Sequence, residues 1–170
     1  MVKTDTIQTI TSRKTSVRKI PAPYTNLEFK SCSIIYDYGC GVYFDDIVAY
    51  MRQKDVSIFV LGWDKYNYNN QEIYEMMHLY SPDYIICSCV PNVIKEKEVI
   101  ISVLKDIYSI AGVNTEIIFN IYEGDKSEIG KETRCGYQRN MKTRSYQTLL
   151  CEWFDIVKIK GNLIECRKVV

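Results

Sequence analysis

Two patterns of apolar and polar positions alternate along the chain after residue 30. Short apolar runs rich in β-branched and aromatic residues predict buried strands, and they cover 31–39, 56–64, 84–90 and 115–124. Apolar residues at helical spacing predict helices, and these segments cover 44–54, 72–79, 95–112 and 143–154. Two further β-prone runs meet at Gly161 and Asn162, which predicts a β-hairpin over 155–169.

This alternation predicts an α/β fold: a doubly wound, mostly parallel sheet with helices on both faces and a C-terminal antiparallel β-hairpin. The run 56–64 is almost continuously apolar, which predicts a strand covered by helices on both faces. Residues 1–30 show no clean period and are rich in Thr, Ser, Lys and Arg. We therefore expect an N-terminal basic arm or cap at 1–30 and one domain at 31–170.

Composition narrows the class of protein. A chain of 170 residues with 46% apolar and 25% charged residues suits one globular domain and excludes a disordered or collagen-like chain. The seven cysteines have no zinc spacing, and no apolar run reaches the roughly 18 residues that cross a membrane. The first twenty residues lack the apolar segment of a signal peptide. We expect a cytoplasmic protein with no membrane contact.

The chemistry is expected at the carboxyl ends of the strands, where open α/β sheets bind ligands. The first strand ends in Asp37-Tyr38-Gly39-Cys40-Gly41, and glycines there allow a tight turn with close approach to the main chain. The second strand ends at Asp64, roughly 20 residues further on, which is the spacing of acids that bind ribose. Together these features predict a ligand that contains adenosine.

A dinucleotide site would need G-x-G-x-x-G, but Phe44 occupies the third position, which disfavours NAD. An acid followed by G-x-G, with a second acid ending the next strand, resembles class I S-adenosylmethionine (SAM)-dependent methyltransferases. The stretch from Asp83 to Ser88 is similar to that family's fourth-strand motif. The resemblance covers about residues 32–168.

The resemblance implies a Rossmann-like, seven-stranded sheet with a reversed final strand, SAM as cofactor and methyl transfer as activity. It implies that the cofactor is bound by Asp37, Gly39, Gly41 and Asp64. More narrowly, the segments DYGCG, GWDKYNY, CSCVPNVI and YQRN look like a group of small methyltransferases from bacteria and their phages.

The chain departs from the family at Val42-Tyr43-Phe44, where many members have a third glycine. A Tyr43 ring facing the cofactor would stack beside the methionine moiety or narrow the pocket. Two alternatives therefore stay open. One is a domain of this fold that binds nucleic acid or protein without catalysis, and the other is an enzyme that breaks SAM down.

The acceptor is not written in a standard motif. The stretch 88–92 matches neither the D/N-P-P-Y/F of amino-methylating DNA enzymes nor the Pro-Cys of cytosine-C5 enzymes. Our candidates for acceptor positioning are Ser88, Asn92, Tyr137 and Arg139. Basic segments at 3–19 and 134–144 indicate DNA or RNA contacts and a nucleic acid or nucleotide acceptor, although a solvated loop and arm would explain them too.

Three other reactive side chains have structural explanations. Cys87 and Cys89 lack a companion pair at zinc spacing, so we expect a core role and no metal site. His78 lies among apolar residues of a short predicted helix, which favours packing over catalysis.

Overall fold

The computed structural model describes residues 18–134 and 136–169, which form one six-stranded sheet flanked by helices. The strand order is β2-β1-β3-β4-β8-β7. The strands are β1 (Ile34–Tyr38), β2 (Phe59–Trp63), β3 (Tyr84–Ser88), β4 (Glu116–Asn120), β7 (Phe154–Lys160) and β8 (Leu163–Lys168). The helices are α1 (Ala22–Asn26), α2 (Phe44–Lys54), α3 (Gln71–Leu79), α4 (Lys97–Ile110) and α5 (Gln147–Leu150).

Strands β1 to β4 are parallel, and β8 pairs antiparallel with both β4 and β7. The predicted mostly parallel sheet with a closing hairpin is therefore confirmed. The chain runs from β1 outward to β2 and then returns to place β3 on the other side of β1. The strand order thus reverses between β1 and β3, and the carboxyl ends of these two strands form the switch point at which such sheets bind ligands.

Helices cover both faces of the sheet, as predicted. One apolar cluster packs α3, α4 and α5 against the sheet through residues such as Met77, Leu104 and Leu150. The other packs α1 and α2 on the opposite face, with Tyr24, Ile47 and Met51 buried there. Within the predicted N-terminal cap, α1 is part of this second cluster, whereas residues 1–17 lie outside the described part of the chain.

Helix boundaries follow local chemistry. Helix α2 has Asp45 and Asp46 in its first turn and Arg52 and Lys54 in its last, which complements the helix dipole at both ends. Helix α3 begins after Asn70, whose side-chain oxygen accepts from the Ile73 amide at 3.1 Å. Such a cap satisfies an amide that the helix itself leaves unpaired.

One implication of the resemblance is wrong for the described residues. Their main sheet has six strands and not seven, because the segment between β2 and β3 contains only a loop and α3. Consequently β2 is an edge strand among the described residues, although helices pack on both of its faces, as predicted: Leu61 and Trp63 lie against the α3–α4 cluster and Val60 against the α1–α2 cluster. Phe59, its first residue, is 65% exposed.

The segment between β4 and β7 also differs from prediction. A small antiparallel hairpin, β5 (Lys131–Thr133) with β6 (Gly136–Gln138), occupies the stretch predicted to be a polar loop. The helix predicted over 143–154 is replaced by a 3₁₀ turn, Thr143–Tyr146, followed by the four residues of α5. In the described ranges, no helix is both long and apolar enough to cross a bilayer.

Candidate functional site

A tight turn follows β1 and is tied to the end of β2. Gly39 and Gly41 have φ angles of 82° and 69°, in the left-handed region that glycine adopts without a steric penalty. The amides of Gly39 and Cys40 both donate to the Trp63 carbonyl, at 2.7 and 3.2 Å. A methyl group on Gly39 would also overlap the Val90 side chain. The main-chain geometry of this turn therefore requires both glycines.

Asp64 joins the same turn from the end of β2. Its Oδ2 accepts from the Gly41 amide at 3.1 Å. Its Oδ1 accepts from the amides of Tyr66 and Asn67, at 2.9 and 2.8 Å, and from Asn67 Nδ2 at 3.0 Å. Oδ1 is therefore fully engaged in holding the following loop. Among the described residues Oδ2 has one donor, the Gly41 amide, and it can accept a second, so it is the oxygen that could bind a ligand hydroxyl.

Asp37 is 0% exposed and lies on the α1–α2 face of β1. Its Oδ2 accepts from the Tyr24 hydroxyl at 2.8 Å, and among the described residues its Oδ1 has no hydrogen-bond partner. Burial raises the pKa of Asp37 to about 7, while the Tyr24 hydrogen bond lowers it and Asp64 raises it. A buried carboxyl with an unpartnered oxygen beside a glycine turn can serve as counter-charge to a cationic ligand.

Tyr43 and Phe44 lie in the segment where many members of the methyltransferase family have a third glycine. The Phe44 ring is buried against Gly62 of β2, and any side chain at position 62 would overlap it. Phe44 also packs on Tyr68, with ring centroids 4.8 Å apart. Tyr43 is partly exposed, and the Lys19 ammonium lies 5.7 Å from its ring centroid. A glycine at the start of α2 would let the helix pack closely on β2. Here Gly62, in the strand, provides that space instead.

The ends of β3 and β4 form the other half of the switch point. Cys89 leaves the strand direction with a φ of 59°, and its amide donates to the Asn120 carbonyl at 2.8 Å. Asn120 Nδ2 donates to Ser88 Oγ at 2.9 Å. Ser88 is partly exposed, and its hydroxyl, which also donates to Cys89 Sγ at 3.9 Å, lies on the rim.

Asn92 lies on the same rim but is 1% exposed. Its side-chain oxygen accepts from the Tyr122 amide and its Nδ2 donates to Gln138 Oε1, both at 3.4 Å. Its main-chain carbonyl accepts from the Arg139 amide at 2.8 Å. Asn92 therefore joins the loop after β3 to the loop after β4 and to β6.

The structure brings Tyr137 and Arg139 to this loop as well. The Arg139 guanidinium donates to the carbonyl of Ile94 at 2.9 Å and to that of Lys95 at 2.8 Å. The Tyr137 side chain packs on Gly130, where no Cβ would fit. The four residues predicted to position an acceptor thus cluster at one end of the sheet, and three of them, Ser88, Asn92 and Arg139, make internal hydrogen bonds there.

A groove of about 200 Å³ lies beside Arg139, between α4 and the turn that precedes α5. Its walls include Lys97, Ile100, Met141 and Leu149. Tyr146 also lines the groove, and its buried hydroxyl has no hydrogen-bond partner in the described part of the chain. The lining combines these apolar side chains with the cations Lys97 and Arg139 and the carboxylate of Glu152, so it suits a ligand with a ring and polar groups.

The basic segments are only partly described. Residues 3–17 lie outside the described ranges, whereas Lys19 is exposed and pairs with Asp46 at 3.4 Å. In the segment 134–144, Arg134, Lys142 and Arg144 are exposed. Arg134 lies between β5 and β6, and Lys142 and Arg144 lie between β6 and α5.

His78 and Cys87 both lie in contacts that hold the fold together. His78 contacts the Tyr74 carbonyl through Nδ1 at 2.8 Å and Asp106 through Nε2 at 3.0 Å. Asp106 also accepts from the hydroxyls of Tyr38 and Tyr74, each at 2.7 Å. Cys87 is fully buried, and burial raises the pKa of its thiol. These contacts join α3, α4 and β1.

Sequence reasoning missed four residues of the site: Tyr24, Gly62, Asn120 and Gln138. Asn120 ends β4 and could have been found by the same rule that identified Asp64. The role of Gly62 could have been inferred from Phe44, because a bulky residue at a helix start needs space on the strand beneath it. Tyr24 and Gln138 lie in segments without a clear period and gave no signal.

No protein-family model and no curated protein matches the chain. Solved structures do match. The chain aligns with the mitomycin 7-O-methyltransferase MmcR at a TM-score of 0.55 and 10% identity over 86% of its length. It aligns with human N-acetylserotonin methyltransferase, solved in complex with SAM, at 0.53 and 13% over 81%. It aligns with the pyocyanin biosynthetic protein PhzM at 0.56 and 10% over 86%.

The matches cover 52%, 48% and 53% of those three chains, so this chain spans about half their length. At such low identity the likeness concerns the fold. It confirms the Rossmann-like α/β fold that the resemblance to class I SAM-dependent methyltransferases implied.

Proposed function

We propose that this protein binds SAM at the β1 turn and transfers its methyl group to a nucleic acid or nucleotide. The observation that carries the proposal is the 3.1 Å hydrogen bond between the Gly41 amide and Asp64 Oδ2. It places the glycine turn and the carboxylate expected to bind ribose side by side at the switch point. An adenosyl group could contact both at once.

The residues of the turn fit the cofactor. Asp64 Oδ2 retains acceptor capacity for a ribose hydroxyl. Gly39 and Gly41 have no side chains of their own that would shield the main chain of the turn, although Val90 packs against Gly39. The buried Asp37 carboxyl, whose Oδ1 lacks a partner among the described residues, supplies negative charge near the positively charged methionine end.

SAM would supply an activated methyl group: the acceptor's lone pair forms the new bond to carbon, the S–CH₃ bond breaks, and S-adenosylhomocysteine and a proton are released. Much of the rate of such an in-line displacement can come from proximity and orientation. The chain's task is then to hold the acceptor in line. Ser88, on the rim beside Asn120, is our candidate for contacting the acceptor, and Asn92, Tyr137 and Arg139 shape the loops around it.

Two features support a nucleic acid or nucleotide as acceptor. Arg134, Lys142 and Arg144 are exposed cations in one segment, and such side chains bind phosphates. The groove beside Arg139 has apolar walls and the Tyr146 ring, which would suit a base. The proposal includes membership of a group of small methyltransferases from bacteria and their phages, and a cytoplasmic location.

The test is incubation with SAM labelled in the methyl group. Transfer of label to DNA, RNA or nucleotides, lost in Ser88→Ala together with Arg139→Gln, supports the proposal. Label released without an acceptor would show SAM breakdown instead. Binding of nucleic acid with no binding of SAM would show a non-catalytic domain.

A further inference from the structure

Tyr24 contacts the candidate cofactor site from the N-terminal segment, outside the domain predicted to hold that site. Its hydroxyl donates to Asp37 Oδ2 at 2.8 Å, and both residues are 0% exposed. The Tyr24 carbonyl accepts from Lys54 Nζ at 2.8 Å, and its ring packs on Phe29 with centroids 6.0 Å apart. Contacts on its main chain and on its ring thus determine where the hydroxyl lies.

We infer that Tyr24 is a positioning residue for the cofactor site: its hydroxyl holds the Asp37 carboxyl behind the glycine turn as an ionised counter-charge for a cationic ligand. The inference rests on the proposed function, because SAM carries a sulfonium and an ammonium group. A buried carboxylate needs hydrogen bonds to remain charged. Tyr24 supplies one of them and leaves Oδ1 without a partner among the described residues.

The groups around Asp37 explain why this hydrogen bond matters. Burial, opposed by the Tyr24 hydrogen bond and assisted by the nearby charge of Asp64, raises the pKa of Asp37 to about 7. The thiols of Cys40 and Cys87 also face the carboxyl, and burial raises the pKa of each, so both are neutral near pH 7. Of these groups Tyr24 alone stabilises the charged carboxyl.

Loss of the Tyr24 hydroxyl would therefore weaken binding of a cationic ligand mainly at low pH. Without it Asp37 keeps its proton to a higher pH, and a cationic ligand must displace that proton to bind. At a pH above the pKa of Asp37 in both proteins, the carboxyl is ionised with or without the Tyr24 hydroxyl, and the two proteins bind the ligand with similar affinity. A side chain with only a packing role would lower affinity by the same factor at every pH.

The experiment is calorimetric titration with SAM of the full-length wild type and of Tyr24→Phe, from pH 6 to pH 8.5. Comparing the two proteins at each pH cancels the titration of SAM itself. We expect Tyr24→Phe to bind about tenfold more weakly at pH 6, since one pKa unit corresponds to a tenfold change, and nearly as tightly as the wild type at pH 8.5.

Two controls separate this effect from a general loss of structure. Tyr84→Phe removes a hydroxyl from another buried tyrosine of the same apolar cluster, one that accepts a hydrogen bond from the Lys30 amide, and we expect it to bind like the wild type. In an Asp37→Asn background, adding Tyr24→Phe should cause no pH-dependent change.

The outcomes distinguish failure of the positioning role of Tyr24 from failure of SAM binding itself. An affinity ratio that falls toward one as pH rises supports the positioning role. A ratio that is constant with pH, or equal in Tyr84→Phe, overturns that role while leaving SAM binding intact. A wild type that binds no SAM at any pH overturns the proposed function and this inference with it.

Discussion

The Gly41 amide donates to Asp64 Oδ2 at 3.1 Å, joining the turn after β1 to the end of β2. The Trp63 carbonyl accepts two further amides from the same turn. Because the other Asp64 oxygen holds the loop that follows β2, one carboxylate organises both segments. Any ligand bound at this corner therefore meets a preorganised surface, and a change at Asp64 affects the turn, the loop and the ligand together.

The packing of Phe44 on Gly62 predicts a specific stability defect. Gly62→Ala places a methyl group in contact with the Phe44 ring, and overpacking of this kind costs about 1 to 3 kcal/mol. Denaturant unfolding should show this loss. In Phe44→Leu Gly62→Ala the loss should be smaller than the sum of the two single changes, because the smaller side chain makes room. Additive effects would contradict the claim that Gly62 replaces the missing third glycine.

The Asp37 carboxyl predicts an unusual dependence of stability on pH. Its pKa is about 7 in the folded protein and close to 3.8 in the unfolded chain. Between these values the folded state binds more protons, so stability falls as pH rises and levels off above pH 7. The stability that protonated Asp37 retains relative to high pH is fully present below about pH 4 and amounts to roughly 4 kcal/mol.

The measurement is the free energy of unfolding of the wild type minus that of Asp37→Asn, from pH 4 to pH 8. We expect this difference to decrease with pH over that window. A difference that does not change with pH would mean that Asp37 is ionised in the folded protein throughout.

The exposed cations of the segment 134–144 predict how nucleic acid binding depends on salt. Replacing all three by Gln should reduce the slope of log affinity against log salt by about 2 to 3, because each phosphate contact contributes close to one unit. The three are Arg134, Lys142 and Arg144. The matched control removes three cations outside the basic segments, namely Lys30, Arg52 and Lys105. Equal slopes for both triple variants would remove this segment from the interface.

Much of this fold could be predicted from the sequence because strands β1, β3 and β4 and helices α2 and α4 carry strong, uninterrupted patterns. Helix α2 was predicted to its first and last residue, Phe44 and Lys54. The position of β2 at the edge of the sheet could not be predicted, because an apolar run does not reveal whether a neighbouring strand exists. Phe59 is apolar and yet 65% exposed at the sheet edge.

The candidate site also has a part that the sequence predicts and a part that it does not. Gly39, Gly41 and Asp64 follow strand ends, so a topological rule found them, whereas the resemblance to the methyltransferase family identified Asp37, which lies within β1; the structure brings all four together. The contacts of Asn92 and Arg139 could not be predicted, because they depend on where the β5–β6 hairpin folds back. Short hairpins of polar residues carry little periodic signal, and tertiary contacts determine their position.

Calorimetric titration with SAM of the wild type, Asp64→Ala and Asp55→Ala tests the central claim most directly. Asp55 is the matched control, since its carboxylate also accepts from a nearby amide, that of Ser57, but at the far end of α2. We predict one bound SAM for the wild type, unchanged affinity for Asp55→Ala, and binding weaker by about 1.5 to 3 kcal/mol for Asp64→Ala, as expected when a charged hydrogen bond is lost. Equal affinity in all three proteins, or no binding by the wild type, would contradict the account.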